Sequence, residues 1–347
     1  LLKSGKYPAR QPETNLADFK AQIAANEKGI RELRKMVEHF SLETVQAYMM
    51  HVQHNADEAV RRAIGALRSG SFEYAMDDGS AIRVRISIDS IQRSATIDFT
   101  GTSDQRTHNF NAPSAVCRAA VMYVFRTLVD DDIPMNEGCL SALDIIIPEG
   151  TMLNPKFPAA VVAGNVEVSQ AVTDTLYGAL GCMGAAQGTM NNITFGDEGG
   201  RYQYYETVCG GSGAGPGFNG TDAVHTHMTN SRLTDPEVLE FRYPVLVDSC
   251  EIRTGSGGEG EFSGGAGIVR RLRFEEEMLV NLLSNRRKVP PYGMAGGSAG
   301  KAGCAFVERG GGTQAEQLGS CDQVKVAPGD VFVLKTPGGG GYGRKTD

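Results

Sequence analysis

Between residues 15 and 67 the apolar positions recur at helical spacing. Leu16, Phe19, Ile23 and Ile30 follow a capping Asn15, and after Ser41 a second run starts at Leu42, Val45 and Met49 and reaches Leu67. Two helices paired as an antiparallel hairpin are predicted. Past Ser69-Gly70 the period drops to two. Phe72 and Tyr74, an Asp78-Gly79 turn, then Ile82, Val84, Ile86 and Ile88, and after another turn Ala95, Ile97 and Phe99, predict three antiparallel strands with one solvated face. The run 115–128 predicts a buried helix, 143–147 a short buried strand, and 166–187 a long apolar helix. Beyond Tyr243 the helical period is lost. The runs 245–247, 268–274, 278–283 and 331–334 read as strands between glycine turns, closing the fold as an antiparallel sheet or barrel. The fold class is α+β, with a helical hairpin over 1–70, a mixed α/β region carrying the site loops over 71–242, and a glycine-rich, β-rich region over 243–347.

Composition narrows the partners. The 44 glycines of the 347 residues are clustered without a three-residue period, which marks loops and excludes collagen. A net charge of -7, with one short basic cluster at Arg286-Arg287-Lys288, gives no electrostatic ground for binding nucleic acid or an anionic membrane. No apolar run approaches the roughly 20 residues of a membrane span, and no signal-peptide core follows the start. A cytoplasmic chain with small-molecule or protein partners is expected. Seven cysteines without a CxxC pair suit reduced thiols packed as small apolar residues. The chain begins at Leu1, and residues 3–15 read as a surface loop leading into a helix, so a piece of a longer protein is expected.

The densest chemistry lies in VCGGSGAGPGFNGTDAVHTHMTNSRLTDPEVLE, residues 208–240. Its glycines from Gly210 to Gly217 let backbone approach a ligand closely, so the loop reads as part of a site. Gly215, Gly217 and Gly220, and again Gly255, Gly257 and Gly260, satisfy GxGxxG, but neither set opens a helix after a strand as a dinucleotide fingerprint must. His225 and His227 would share a face if extended, ligating a metal or an anion beside Thr229 and Asn230; two hydrogen-bonded structural imidazoles are the alternative. No third ligand is near, so the metal set stays unknown. His51 and His54 with Glu58 give a weak helical metal pattern that also suits a solvated face. Asn165, Glu167, Ser169 and Gln170 stand at a helix start, where free N–H groups suit an anion or carbonyl, or where Asn165 or Ser169 simply caps. Glu206 ends an aromatic strand as either a general base or an arginine's partner. The tail TPGGGGYG is a flexible end or a loop folded back onto a site.

The stretches PARQPETNLADFKAQIAANEKG, GNVEVSQAVTDTLYGALG, YETVCGGSGAGPGFNG, HTHMTNSRLTDPEVLEFRYPV, RTGSGGEGEFSGGAGIVR and PGDVFVLKTPGGGGYG span nearly the whole chain. Together they resemble the hydantoinase B/oxoprolinase family, and most of all the C-terminal part of its oxoprolinases. The resemblance implies an ATP-dependent amidohydrolase opening the lactam of 5-oxo-L-proline to L-glutamate through a phosphorylated intermediate. It also implies ATP held by a hydantoinase A-like domain or subunit absent here, Mg²⁺ or Mn²⁺ with K⁺, a homo-oligomer, and inactivity of this piece alone. The His/Asp metal motifs of the family's N-terminal B region are not in this chain. Carried onto these residues, the resemblance implies Glu167, Glu206 and His227 as catalytic, with Glu206 positioning water, and Asn165, Ser169, Gln170, His225, Thr229 and Asn230 as substrate-binding. Hydantoin or N-methylhydantoin hydrolysis, ketone carboxylation, and a non-catalytic assembly role are the alternatives.

Overall fold

A computed structural model describes residues 2–4, 8–9, 12–310 and 314–345. Part of the loop expected over 3–15, at residues 5–7 and 10–11, lies outside the described residues. Helix α1 (Pro12–Phe40) starts before the predicted cap Asn15. It is separated from α2 (Leu42–Gly65) by Ser41 alone, whose φ of 74° breaks the helix and whose Oγ accepts from the Thr44 N–H. The helical pair is open: α1 buries no residue, whereas the C-terminal half of α2 sets Ala56, Ala59, Val60 and Ile64 into the core. Glu58 on α2 pairs with Arg93 at 2.7 Å, and His51 and His54 are exposed, so this face is solvated. No described helix is long and apolar enough to cross a membrane.

Strands β1 (Gly70–Ala75), β2 (Ala81–Asp89) and β3 (Ser94–Asp98) pair antiparallel, and Ile82, Val84, Ile86 and Ile97 fill the inner face. After α3 (Ser114–Thr127), β4 (Leu143–Ile146) joins β3 in parallel. The strand predicted as buried is an edge strand, and its side chains alternate between half-buried and exposed. Helix α4 (Ser169–Leu180) lies on this sheet, with every residue through Ala179 buried. It is shorter than the predicted 166–187. Gly181 takes φ 66° and ends it, while Gly164–Val168, of which 166–168 were expected to open the α-helix, form a π turn. The contact with the sheet is close: a Cβ on Gly178 would come within 2.8 Å of the Phe72 ring.

The rest of the chain builds a sandwich. β5 (Asn192–Gly196) and β6 (Gln203–Glu206) precede α5 (Pro236–Arg242), which Asp235 caps, and then come β7 (Val245–Ile252), β8 (Ile268–Phe274) and β9 (Met278–Leu283). β10 (Cys304–Arg309), β11 (Gln314–Leu318), β12 (Cys321–Val326) and β13 (Val331–Lys335) complete it. Two antiparallel sheets, ordered β11-β10-β13-β8-β7 and β12-β9-β5-β6, share a core of Phe195, Leu272, Phe274, Val280 and Phe332. Pairing of β5 with β9 crosses the expected boundary at 242/243, and packing of α2 against the β1–β4 core crosses that at 70/71. The link between the halves is tight. Asp77, just after β1, accepts from the N–H groups of Arg287, Lys288 and Val289 at 2.7–3.0 Å. All seven cysteines are free; Cys117, Cys139 and Cys209 are buried, and the others are partly or fully exposed.

The glycine loops collapse onto each other. In the tail, Gly338, Gly339, Gly340 and Gly341 donate to the carbonyls of Lys301, Gly265, Ala185 and Ser298 at 2.8–3.2 Å. A Cβ on Gly340 would lie 1.8 Å from the Tyr292 carbonyl oxygen, and one on Gly211 equally close to that of Gly265. The tail is therefore a buried rod, not a flexible end. Of the glycines at 210–217, Gly211 and Gly213 approach other backbone closely, and Gly210 and Gly215 approach the side chains of Gln187 and Phe218.

Candidate functional site

Two adjoining hollows, of about 500 and 370 Å³, run along the outer face of α3 and share Ala115, Ala119 and Met228. Alanines one helical turn apart on α3 leave the space. The larger hollow is lined further by Arg118, Met122, Tyr123, Glu137, His227, Thr229 and Asn230, and the smaller by Asn165 and Ser169. The groove thus gathers five of the predicted site residues: Asn165 and Ser169 from the π turn and start of α4, and His227, Thr229 and Asn230 from the loop before α5.

His227 is held on three sides. Its φ of 55° turns the chain, so the His225–His227 segment is not extended and the two rings do not share a face as predicted. Its Nδ1 meets the Tyr123 hydroxyl at 3.3 Å, its ring lies 5.4 Å from that of Tyr177, and its Nε2 is 3.7 Å from Asp174 Oδ1. Burial lowers its pKa to about 4, so the imidazole is neutral at pH 7. Asp174 is lifted by burial to about 7 against the pull of the Arg286 guanidinium and the Ala186 N–H. Arg286 itself stacks over the Tyr74 ring, 3.8 Å from its centroid. A neutral imidazole backed by a carboxylate can take up a proton or donate a hydrogen bond to developing negative charge.

The remaining predicted residues stand apart from the groove. Glu167 points inward from the π turn, where its Oε1 accepts from Thr189 Oγ1, the Met190 N–H and Asn192 Nδ2 at 2.7–3.2 Å. Its Oε2 has no hydrogen-bond partner among the described residues, and burial pushes the carboxyl up to about 8. Gln170 is a buttress: its Nε2 donates to the Thr226 carbonyl at 2.9 Å and fixes the loop between the two histidines. His225 is half-buried, both ring nitrogens lack partners among the described residues, and burial lowers its pKa. Glu206 is in the sandwich core, paired with buried Arg270 at 3.2 Å and accepting from the Thr234 N–H at 2.7 Å. Arg118, Tyr123 and Asp174 escaped the sequence reading. Asp174 had a readable signal, being the lone charge of α4 in an apolar run, where charges are seldom placed without use.

In the two GxGxxG loops Gly220, Gly257 and Gly260 pack against other backbone and Gly215 against the Phe218 ring, while Gly217 and Gly255 have nothing within 4 Å. Among the described residues no group of three or more His, Cys, Asp or Glu could hold a metal ion.

The profile of the Hydantoinase B/oxoprolinase family matches residues 1–345, and the chain belongs to that family. It is 42% identical over 347 residues to the 5-oxoprolinase of Dictyostelium discoideum, which covers 97% of this chain and 27% of the relative. It is 45% identical over 353 residues to 5-oxoprolinase 1 of Arabidopsis thaliana, with 96% of this chain and 27% of that protein covered. The chain therefore spans about a quarter of the length of these curated relatives. Its α+β fold is like that of the ATP-dependent caprolactamase from Pseudomonas jessenii, with a TM-score of 0.84 at 22% identity over 99% of this chain and 63% of that one.

Proposed function

We propose that this chain supplies the lactam-side pocket of an ATP-dependent amidohydrolase converting 5-oxo-L-proline to L-glutamate. The observation that carries the reading is the 42% and 45% identity to 5-oxoprolinases along nearly the whole chain. The groove is compatible with it. Ala115, Ala119, Met122 and Met228 offer an apolar wall to ring methylenes, Arg118 a cation to the substrate carboxylate, and Thr229 and Asn230 hydrogen-bonding groups.

An amide carbonyl is a poor electrophile, and ATP remedies this by transferring its terminal phosphoryl group to the lactam oxygen. Water then adds to the carbon, the C–N bond breaks, the nitrogen takes a proton, and phosphate leaves, giving glutamate, ADP and phosphate. ATP, Mg²⁺ or Mn²⁺, and K⁺ belong with a hydantoinase A-like part outside this chain, and this chain alone is inactive. His227 stabilises charge developing on the reacting group, Tyr123 fixes its ring, and Asp174 compensates the imidazolium when it forms. Asn165 and Ser169 extend the pocket at the π turn.

The test is the complete protein that carries this chain, assayed for ATP hydrolysis and glutamate release with 5-oxoproline, hydantoin, N-methylhydantoin or acetone. Equal glutamate and ADP with 5-oxoproline alone supports the proposal. Turnover with another substrate only would replace the reaction, and no coupled turnover would favour an assembly role.

A further inference from the structure

Among the described residues lining the larger hollow, about 500 Å³ in volume, Arg118 and Glu137 are the two that carry a full charge. The imidazole of His227 is neutral, and the other lining groups are apolar, hydroxyl or amide. Both charged side chains are exposed, and neither enters an ion pair or a hydrogen bond among the described residues. One hollow thus holds a free cation and a free anion that do not neutralise each other. Glu137 is held by its backbone. It opens the 3₁₀ turn Glu137–Leu140, whose other three residues are buried, and Asn136 Oδ1 accepts from the Gly138 N–H at 2.8 Å. A Cβ on Gly138 would stand 2.1 Å from the Gln53 carbonyl oxygen, so the turn lies directly against α2. The carboxylate therefore sits on a fixed rim, while Arg118 reaches the hollow from α3.

We infer that Glu137 recognises the product: the hollow takes an α-amino-acid zwitterion, with Arg118 holding its carboxylate and Glu137 its ammonium. The inference rests on the lactam reading of the groove and adds the residue that tells the opened ring from the closed one. An anion on the rim is a poor partner for 5-oxoproline, whose single charge is a carboxylate that Arg118 attracts and Glu137 repels. Ring opening reverses the second of these. When the C–N bond breaks, the nitrogen keeps the bonding pair and its own hydrogen. Two protons from water complete an ammonium on the carbon that bears the carboxylate, and the oxygen of water stays in the new carboxyl group. The ligand then carries a positive charge beside the negative one, and the free cation and free anion of the hollow match them as charge-assisted hydrogen-bond partners. A group that repels before the bond breaks and attracts afterwards favours the opened form. A site built only for an uncharged lactam or ketone would have no use for either charge, and one built only for a carboxylate would have none for Glu137.

The experiment is calorimetric titration of the complete protein, without ATP, with three ligands: L-glutamate, glutarate, which is the same diacid without the ammonium, and 5-oxoproline. Glu137→Gln is expected to weaken L-glutamate about tenfold and to leave glutarate and 5-oxoproline no weaker than in the wild type. Arg118→Ala is expected to weaken all three. Glu137 is exposed and bonded to nothing, so the glutamine variant keeps the wild-type unfolding curve. If Arg118→Ala weakens all three ligands while Glu137→Gln leaves L-glutamate unchanged, or weakens all three alike, the inference falls and the groove remains the site. If the ligands bind but Arg118→Ala affects none of them, the lactam reading of the groove falls and takes the inference with it. A wild type that binds 5-oxoproline and not L-glutamate would also overturn the inference.

Discussion

The rod at 338–341 and the polar shell around α4 both bury groups that water would otherwise hydrate, and they differ in how many of those groups find partners. All four N–H groups of the rod are bonded to neighbouring carbonyls, with no side chain to pack and no charge to neutralise. Around α4, Glu167 Oε2, Gln170 Oε1, Asp174 Oδ2 and His227 Nε2 have no hydrogen-bond partner among the described residues. Each buried polar atom left without a partner costs on the order of 1–3 kcal/mol. A fold can retain such a debt where chemistry uses the groups, and the sandwich core carries some of it too, at Glu206 Oε2 and Arg270 Nε. This contrast fits the 338–341 rod as scaffold and the α3–α4 groove as the proposed working surface, the reverse of what glycine content suggests.

The sharpest way to break this contrast is to put side chains into the rod. Gly340→Val is expected to cost about 5 kcal/mol or more, because the obstacle is backbone that cannot move aside, and urea unfolding would show it. A Gly340→Val protein of wild-type stability would end the scaffold reading. Next in size is Arg270→Met, which strands Glu206 and is expected to cost about 3–5 kcal/mol; adding Glu206→Leu should restore most of it. If the double variant is no more stable than the single, Glu206 does more than balance Arg270.

The third prediction concerns pH. Glu167 has its folded pKa raised from 4.5 to about 8, so the folded chain holds a proton that the unfolded chain has released between those values. Its contribution is complete below about pH 4.5 and fades as pH rises towards 8. Glu167→Gln should flatten the fall in stability across that window by up to about 5 kcal/mol, seen as melting temperature against pH. An unchanged slope would mean the carboxyl is ionised in the fold. The smallest effect is expected at the rim of the groove. Arg118→Ala in the complete protein should raise the KM for 5-oxoproline about tenfold with little change in kcat, the mark of a lost binding contact.

Much of the scaffold was legible because it rests on periodicity. The alternation from Ile82 to Phe99 and the apolar run of α3 gave the first core. What failed to show depends on contacts between distant segments. Nothing local reveals that Gly211 faces Gly265, that Asp77 clamps residues 287–289, or that Gly164 opens a π turn. For the same reason the loop at 225–230 showed its histidines but not their direction. His227 turns towards Tyr123 and Asp174 because of a left-handed φ that no pattern of residue types encodes.

The most direct test is His227→Ala in the complete protein, with 5-oxoproline-dependent ATP turnover, glutamate release and thermal unfolding measured on one preparation. A loss of about 100-fold or more in kcat, with unfolding unchanged, is the result this account predicts. Wild-type turnover in that variant would contradict it and move the working surface away from the α3–α4 groove.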